Sequence, residues 1–300
     1  MMMDSPVKIL VLGVSGMLGS AIFRVLSENS NWAVFGTNRS FENLRFFSSL
    51  EKKCILSNID VLNSDDLIKV FYQIKPDIVI NCIGIIKQHG LAKDTLSVLP
   101  INSLLPHRLS NICKLNGTRL ILISTDCVFA GRKGMYNESD IPDAEDLYGK
   151  SKEIGEVVSE RHVLTLRTSI IGHELNSNYS LVNWFLSQSG TVNGFTKAIF
   201  SGLPASEIAE VIKTKIIPNL QLHGLYHLSA EPISKFELLN LIKKTYNKTI
   251  EIVANDVVVV DRSLDSSRFR NVTSFLPASW DILVQRMRAY NEKYLDLDRV

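Results

Sequence analysis

The stretch "VKILVLGVSGMLGSA", Val7 to Ala21, decides how the rest of the chain is read. An apolar run of strand length passes directly into three glycines spaced three apart, Gly13, Gly16 and Gly19, and then into a segment of helical period. Strand, glycine-rich turn and helix start in that order is the context in which such glycines bind a dinucleotide. Gly13 would make the tight turn, Gly16 would let the backbone approach a pyrophosphate, and Gly19 would let the helix pack close to the sheet. Ser15 lies within the turn, and the free N–H groups of Met17 and Leu18 at the helix start would bind phosphate oxygens. The plainer alternative is a glycine-rich turn that serves only the strand-to-helix connection.

Working outward, apolar strand-length runs alternate with helical segments through the first half of the chain. The strand candidates are "VKILVLG", "WAVFGTN", "CIL", "DIVINCIG", "RLILIST" and "VLTLR", with helices expected near 17–28, 41–50, 64–74, 95–115 and 149–161. This pattern predicts an α/β fold, a doubly wound parallel sheet with helices on both faces. After Gly172 the rhythm turns irregular, with helices expected near 179–189, 206–216, 234–246 and 279–294, a strand at "GLYHLS" and a β-rich run "TIEIVANDVVVV". Residues 1–171 and 204–230 are therefore expected to form the nucleotide-binding domain, and 172–203 with 231–300 a smaller α+β lobe. Ala130 to Asp146, polar and rich in glycine, reads as a surface loop.

With 33 basic against 31 acidic side chains and a net charge of +2, the chain carries no general attraction for nucleic acid or acidic membranes. The cysteines Cys54, Cys82, Cys113 and Cys127 lack zinc-type spacing, and His89, His107, His173, His223 and His227 lack metal-ligand spacing, so no metal is expected. Trp184 and Phe185, with Leu181, read as core. The start "MMMDSPVK" has no secretory pattern and no apolar run reaches a membrane-spanning length, which leads to the expectation of a soluble cytoplasmic protein.

Further candidates follow from the carboxyl ends of the strands, where such sheets bind ligands. The second strand ends in "GTNRS", with Asn38 and Arg39 where an NAD site commonly holds an acid, and a guanidinium there suits the 2′-phosphate of NADP. After the third strand, Asp60 could accept from an adenine amino group with Val61 beside it; Asp60 could equally cap a helix or hold a turn. "NCIG" ends the fourth strand, and Asn81, Cys82, Ile83 and Gly84 could run along the cofactor.

The fifth strand ends at Ser124 and Thr125, and "LYGKSKEIGE" (Leu147–Glu156) follows. Lys150, Lys152, Glu153 and Glu156 have the look of an ordinary solvated face, yet Tyr148 and Lys152, four apart, would lie one above the other on one side of a helix. A lysine cation beside the tyrosine would lower the phenol's pKa toward working pH, and Thr125 could donate to the same carbonyl oxygen that Tyr148 protonates. A Tyr/Lys pair at this spacing is weak alone and strong beside a glycine-rich nucleotide turn.

The glycine pattern at Gly13, the Y-x-x-x-K at Tyr148 and a hydroxyl residue ahead of it resemble the short-chain dehydrogenase/reductase superfamily in its extended, sugar-nucleotide branch. "ISTDCVFAG", "YGKSKEIGE", "INSLLPHRLS" and "LRTSIIG" are similar to the dTDP-4-dehydrorhamnose reductases and related reductases of 4-keto-6-deoxy sugars. The resemblance implies a Rossmann domain binding NADP(H) and a substrate lobe above the cleft. It places the catalytic threonine, tyrosine and lysine on Thr125, Tyr148 and Lys152, the last two also touching cofactor, and the active-site asparagine on Asn102. A nucleotide-sugar substrate would meet the loop holding Lys87, then Asp126 and Phe129, with Arg262 of "DRSLDSSRF" on its diphosphate. Cys127, Ala130 and Ile170 depart from the family's aromatic, acidic and tryptophan residues, which opens the identity of the sugar. A branch reducing UDP-linked 2-acetamido-2,6-dideoxy-4-keto hexoses for surface polysaccharide resembles the chain equally well. An epimerase that keeps NAD(P) bound and a non-catalytic NADP-binding regulatory subunit are the alternatives, and a homodimer stays open.

Overall fold

The computed structural model describes residues 6–87, 90 and 93–295. Strand β1 (Val7–Leu12) forms because "VKILVL" is apolar on both faces. Ile9 and Val11 pack into one core with the helix that follows, and Leu10 and Leu12 into a second core on the opposite face, the period of two that a doubly covered strand requires. Strands β2 (Trp32–Thr37), β3 (Ile55–Leu56), β4 (Ile78–Asn81), β5 (Arg119–Thr125) and β6 (Val163–Thr168) join it. Beyond β6 come β7 (Ile170–Ile171), β8 (Thr191–Phe195), β9 (Ala198–Phe200), β10 (Leu203–Pro204), β11 (Gly224–His227), β12 (Ile233–Ser234), β13 (Glu251–Asn255) and β14 (Val260–Asp261).

The main sheet runs β11-β6-β5-β4-β1-β2-β3 and every pairing in it is parallel. Strand order therefore reverses between β1 and β4, which opens a crevice at their carboxyl ends. The doubly wound Rossmann architecture expected from the alternation is what the chain adopts. Three smaller sheets, β7 with β10, β8 with β13, and β12-β9-β14, belong to the region after β6.

Helices α1 (Met17–Ser27), α2 (Ser49–Lys52) and α3 (Ser64–Ile74) follow the first strands, and α4 (Thr95–Val98) runs through a π-helical segment, Leu99–Leu104, into α5 (Leu105–Asn116). Next come α6 (Leu147–Ile154), α7 (Leu181–Ser187), α8 (Ala205–Val211), α9 (Lys235–Thr245), α10 (Ser267–Thr273) and α11 (Trp280–Tyr294). Helix α3 shows why the ends fall where they do. The Asn63 side chain accepts from Asp65 N–H at 2.9 Å, and Lys75 turns left-handed at φ 50° just before Pro76.

Two expected helices differ. In place of one near 41–50 there is a 3₁₀ turn, Phe41–Phe46, and then α2, because Ser48 and Glu51 form a reciprocal capping box that starts a new helix after the extended Phe47. The helix expected to reach 161 stops at Ile154. A Cβ on Gly155 would stand 2.0 Å from the Asn102 carbonyl oxygen, so the chain there is pressed against the π-helical segment and turns inward. Helix α10 was not foreseen. Among the described residues no helix is long and apolar enough to cross a membrane.

Candidate active site

The glycine turn has the strained geometry its spacing predicts. Gly13 has φ +85°, and the N–H groups of Gly13 and Val14 both donate to the Thr37 carbonyl, at 3.1 and 3.0 Å, which ties the tip of β1 to that of β2. A Cβ on Gly19 would fall 2.1 Å from the Gly13 carbonyl oxygen, so close helix packing demands glycine there. Gly16 is different. It is exposed, and a Cβ would touch only the Gly13 oxygen at 3.5 Å, an ordinary contact. Nothing in the protein requires glycine at Gly16; a bulky group approaching from outside would.

Gly16 is also the N-cap of α1, with no side-chain cap and no acid in the first turn. The N–H groups of Met17 and Leu18 lack intrahelical acceptors at that helix start, which suits a phosphate. Leu18 turns its side chain into the core, so only its backbone is available; Ser15 and Met17 are half-buried.

At the tips of β2 and β3, Asn38 is buried with its backbone satisfied by Leu56 and Ile59, at 3.0 and 3.1 Å. Both ends of its side-chain amide lack a partner, as does the neighbouring Ser57 hydroxyl. Buried polar groups are normally paired, so these fit a polar ligand that completes them. Arg39 is exposed beside them. Together with the open face at Gly16, these groups fit the dinucleotide that the glycine pattern implies.

The remaining candidates on this side are brought near the crevice with different roles. The Asp60 side chain accepts from Leu62 N–H at 2.9 Å, which makes it a turn residue, and the cap of α3 is Asn63. The Val61 side chain packs in the core with Leu67 and Val70, since a valine beside an apolar helix face gains more from burial than from a nucleotide edge. Asn81 accepts from Ile83 N–H at 3.1 Å, stiffening the turn through Cys82 and Ile83 to the exposed Gly84. Burial pushes the Cys82 thiol up to about 12, against the pull of Lys152, so it stays neutral.

Asn102 neither caps a helix end nor faces water. It is buried, accepts from Ile85 N–H at 2.8 Å, and donates to the Ile85 carbonyl at 3.0 Å and Ser151 Oγ at 3.1 Å. Its amide holds the Ile83–Lys87 loop to α6.

Across the crevice, Thr125 ends β5 and is buried. Its hydroxyl accepts from Cys127 N–H and donates to Asp126 Oδ1, both at 3.1 Å. Asp146 caps α6 by accepting from Gly149 N–H at 2.8 Å, and that cap fixes where Tyr148 begins the helix. Gly149 is required for the close fit, since a Cβ there would be 2.2 Å from the Cys127 carbonyl oxygen. Burial raises the Tyr148 phenol above its ordinary range, opposed by a hydrogen bond with Thr125. The net direction is upward, opposite to the lowering expected from Lys152, and the phenol keeps its proton.

Lys152 donates to the Ile123 carbonyl at 2.7 Å, and its Nζ lies 3.9 Å from the point a Gly84 Cβ would occupy. Burial lowers its pKa to about 8, with the Glu156 charge acting against that fall. Glu156, expected on a solvated face, is instead deeply buried. Its carboxylate accepts from Ser124 Oγ at 2.6 Å and from Arg167 Nε and Nη2 at 2.8 and 2.7 Å.

On the substrate side, Asp126 is buried, and burial raises its pKa against the Thr125 hydrogen bond and the Arg262 charge. Phe129 is corrected: it is fully buried, stacks on Tyr136 with centroids 4.1 Å apart, and lies 5.1 Å from the Arg167 guanidinium. Its ring fills a small core with Val128 and Leu264, and only its carbonyl reaches the cleft side, accepting from Arg262 Nε at 2.7 Å. Lys87 is exposed and pairs with Asp146 at 2.5 Å above α6; Gln88 and His89 of the same loop lie outside the described residues. Lys235, unforeseen, follows β12 and feels the charges of Asp126 and Arg262. Its only local signal, the Ser234–Glu237 capping box, marks a helix start and not a site.

A switch-point crevice with a dinucleotide turn on one wall and a threonine, tyrosine and lysine on the other defines an extended short-chain dehydrogenase/reductase. Within that class the chain belongs to the family of the RmlD substrate binding domain, whose model matches residues 7–267. It is 23% identical to a dTDP-4-dehydrorhamnose reductase of Aggregatibacter actinomycetemcomitans, over 95% of this chain and 99% of that protein. It is 27% identical to methionine adenosyltransferase 2 subunit beta of Danio rerio, over 80% of this chain and 74% of that one. The fold matches the crystal structure of a Bacillus anthracis dTDP-4-dehydrorhamnose reductase in complex with NADP, at 19% identity and a TM-score of 0.76, over 95% of this chain and 99% of that one.

Proposed function

We propose that this chain is an NADPH-dependent reductase that converts a nucleotide-linked 4-keto-6-deoxy sugar to its 4-hydroxy form, with residues 172–203 and 231–300 as the substrate lobe. The observation that carries this is the placement of Thr125 at the end of β5 and of Lys152 against the Ile123 carbonyl of the same strand, at 2.7 Å, with Tyr148 one turn before Lys152 on α6. Likeness to a dTDP-4-dehydrorhamnose reductase along nearly the whole of both chains supports the substrate class.

NADPH would be held by Gly13, Ser15, Gly16, Met17 and Leu18, with Asn38 and Arg39 at its 2′-phosphate end and Lys152 at the other, and it supplies the hydride. The chain's own part is proton transfer. Tyr148 gives its phenolic proton to the ketone oxygen, and Thr125 turns its hydroxyl from Asp126 to donate to the same oxygen. Lys152, while charged, stabilises the phenolate left behind. Asp126 and Arg262 bound the cleft where the sugar and its diphosphate would lie. The test is loss of nicotinamide absorbance with a panel of dTDP-, UDP- and GDP-linked 4-keto sugars, with products identified by NMR. Turnover of one of them is expected; cofactor binding without turnover of any would end the proposal.

One finding favours a second reading. The likeness to a methionine adenosyltransferase subunit fits a nucleotide-binding partner of another enzyme. That reading requires NADPH binding with no dependence of the chain's action on Tyr148.

A further inference from the structure

Of the six buried side-chain polar atoms without a partner among the described residues, three lie together at the tips of β2 and β3: Asn38 Nδ2, Asn38 Oδ1 and Ser57 Oγ. Strand register puts them there. Gly36 pairs with Ile55 and Thr37 with Leu56, so the next residues, Asn38 and Ser57, stand beside each other where the two strands end. Backbone bonds then fix the pair. Asn38 N–H donates to the Leu56 carbonyl at 3.0 Å, and Asn58 turns left-handed at φ 60°, which brings Ile59 N–H back to the Asn38 carbonyl at 3.1 Å.

The pair is neutral. Asn38 is 2% exposed, and the first acid after Ser57, Asp60, accepts instead from Leu62 N–H at 2.9 Å. Arg39, which follows Asn38, is exposed. The chemistry of the three atoms limits what completes them. Asn38 Oδ1 accepts only, Asn38 Nδ2 donates only, and the serine hydroxyl does either. A phosphate dianion offers acceptors alone, so it meets the nitrogen and the hydroxyl and leaves Oδ1 unpaired. A ribose edge offers both kinds. The 3′-hydroxyl of adenosine, present in NADPH and NADH alike, gives its hydrogen to Oδ1 and accepts from the serine, while the oxygen at C2′, free or phosphorylated, accepts from Nδ2.

Resting on the cofactor assignment of the reductase reading, we infer that Asn38 and Ser57 form a neutral cradle for the ribose edge of the cofactor's adenosine. The cradle serves NADPH and NADH equally, and the choice between them falls to Arg39 alone. Ser57, which no sequence motif marks, is thereby a cofactor-binding residue.

The experiment needs no sugar. Dissociation constants for NADPH and for NADH are measured by fluorescence titration in wild type, Ser57→Ala and Arg39→Ala, together with the unfolding midpoints of the cofactor-free proteins. Ser57→Ala should weaken both cofactors by about three- to tenfold and keep their ratio within about twofold. Its midpoint should be unchanged or raised, since the lost hydroxyl has no partner inside the protein. Arg39→Ala should weaken NADPH and leave NADH in place. Weakening of NADPH alone in Ser57→Ala would put the hydroxyl on the phosphate, and unchanged affinity for both would leave it to water; either overturns the inference. So would a clear fall in the Ser57→Ala midpoint, the mark of an internal partner. Wild type that binds NADPH but not NADH would overturn it too, and wild type that binds neither would end the cofactor assignment with it. Should both cofactors bind as stated while no 4-keto sugar is turned over, the reductase reading fails and the cradle stands.

Discussion

The two walls of the crevice use their polar groups in opposite ways. On the β5–α6 wall nearly every polar atom is already engaged: Thr125 with Asp126 and Cys127, Lys152 with Ile123, Glu156 with Ser124 and Arg167, Asn102 with Ile85 and Ser151. On the β1–β2–β3 wall, Gly16 is exposed, the α1 N-terminus has no side-chain cap, and the buried Asn38 amide has no partner among the described residues. The first wall is organised before any ligand arrives, as groups that move a proton must be. On the reductase reading, proton transfer falls to the first wall and the phosphate end of the cofactor to the second, and variants should separate them.

The largest expected separation comes from Tyr148→Phe, which keeps the ring and removes the proton. Turnover should fall by about two to four powers of ten while the NADPH dissociation constant hardly changes. Loss of binding in step with turnover would merge the two walls. Next is the paired exchange of glycines within one turn. Gly19→Ala drives a methyl into the Gly13 carbonyl and should cost about 1–3 kcal/mol in denaturant unfolding. Gly16→Ala should leave the unfolding midpoint in place and weaken NADPH by about tenfold, seen by fluorescence titration.

The pH profile sharpens the contrast further. Lys152 must be charged to act and its pKa is lowered to about 8, so kcat/KM should hold below that value and fall about tenfold per unit above it. Tyr148, raised by burial, remains protonated through this range and adds no limb. A profile flat to well above 8 would show that the lysine charge is irrelevant. The smallest effect is Arg39→Ala, which should narrow the preference for NADPH over NADH by about fivefold without touching stability, the residue being exposed.

Those same walls differ in how far the sequence disclosed them. Glycine spacing has one steric meaning after a strand, so the Gly13–Gly19 turn was legible, as was the alternation that yields the parallel sheet. A motif places a residue along the chain but does not say which way its side chain turns. The side chains of Phe129 and Val61, expected at the site, pack into core clusters, because their neighbours offer apolar contacts no short motif records. Glu156 looked solvated for the converse reason: its partners Ser124 and Arg167 come from two other strands. Helix α6 ended early because of Asn102, far away in sequence.

On the reductase reading, the Tyr148 phenol hands its proton to a sugar ketone beside the nicotinamide. A crystal structure with NADPH and an unreactive analogue of the 4-keto sugar nucleotide tests it most directly. Tyr148 Oη and Thr125 Oγ1 are expected within about 2.6–3.2 Å of the oxygen at C4, with Lys152 Nζ on the nicotinamide ribose. A phenol turned away from that oxygen, with the sugar bound elsewhere, would contradict it.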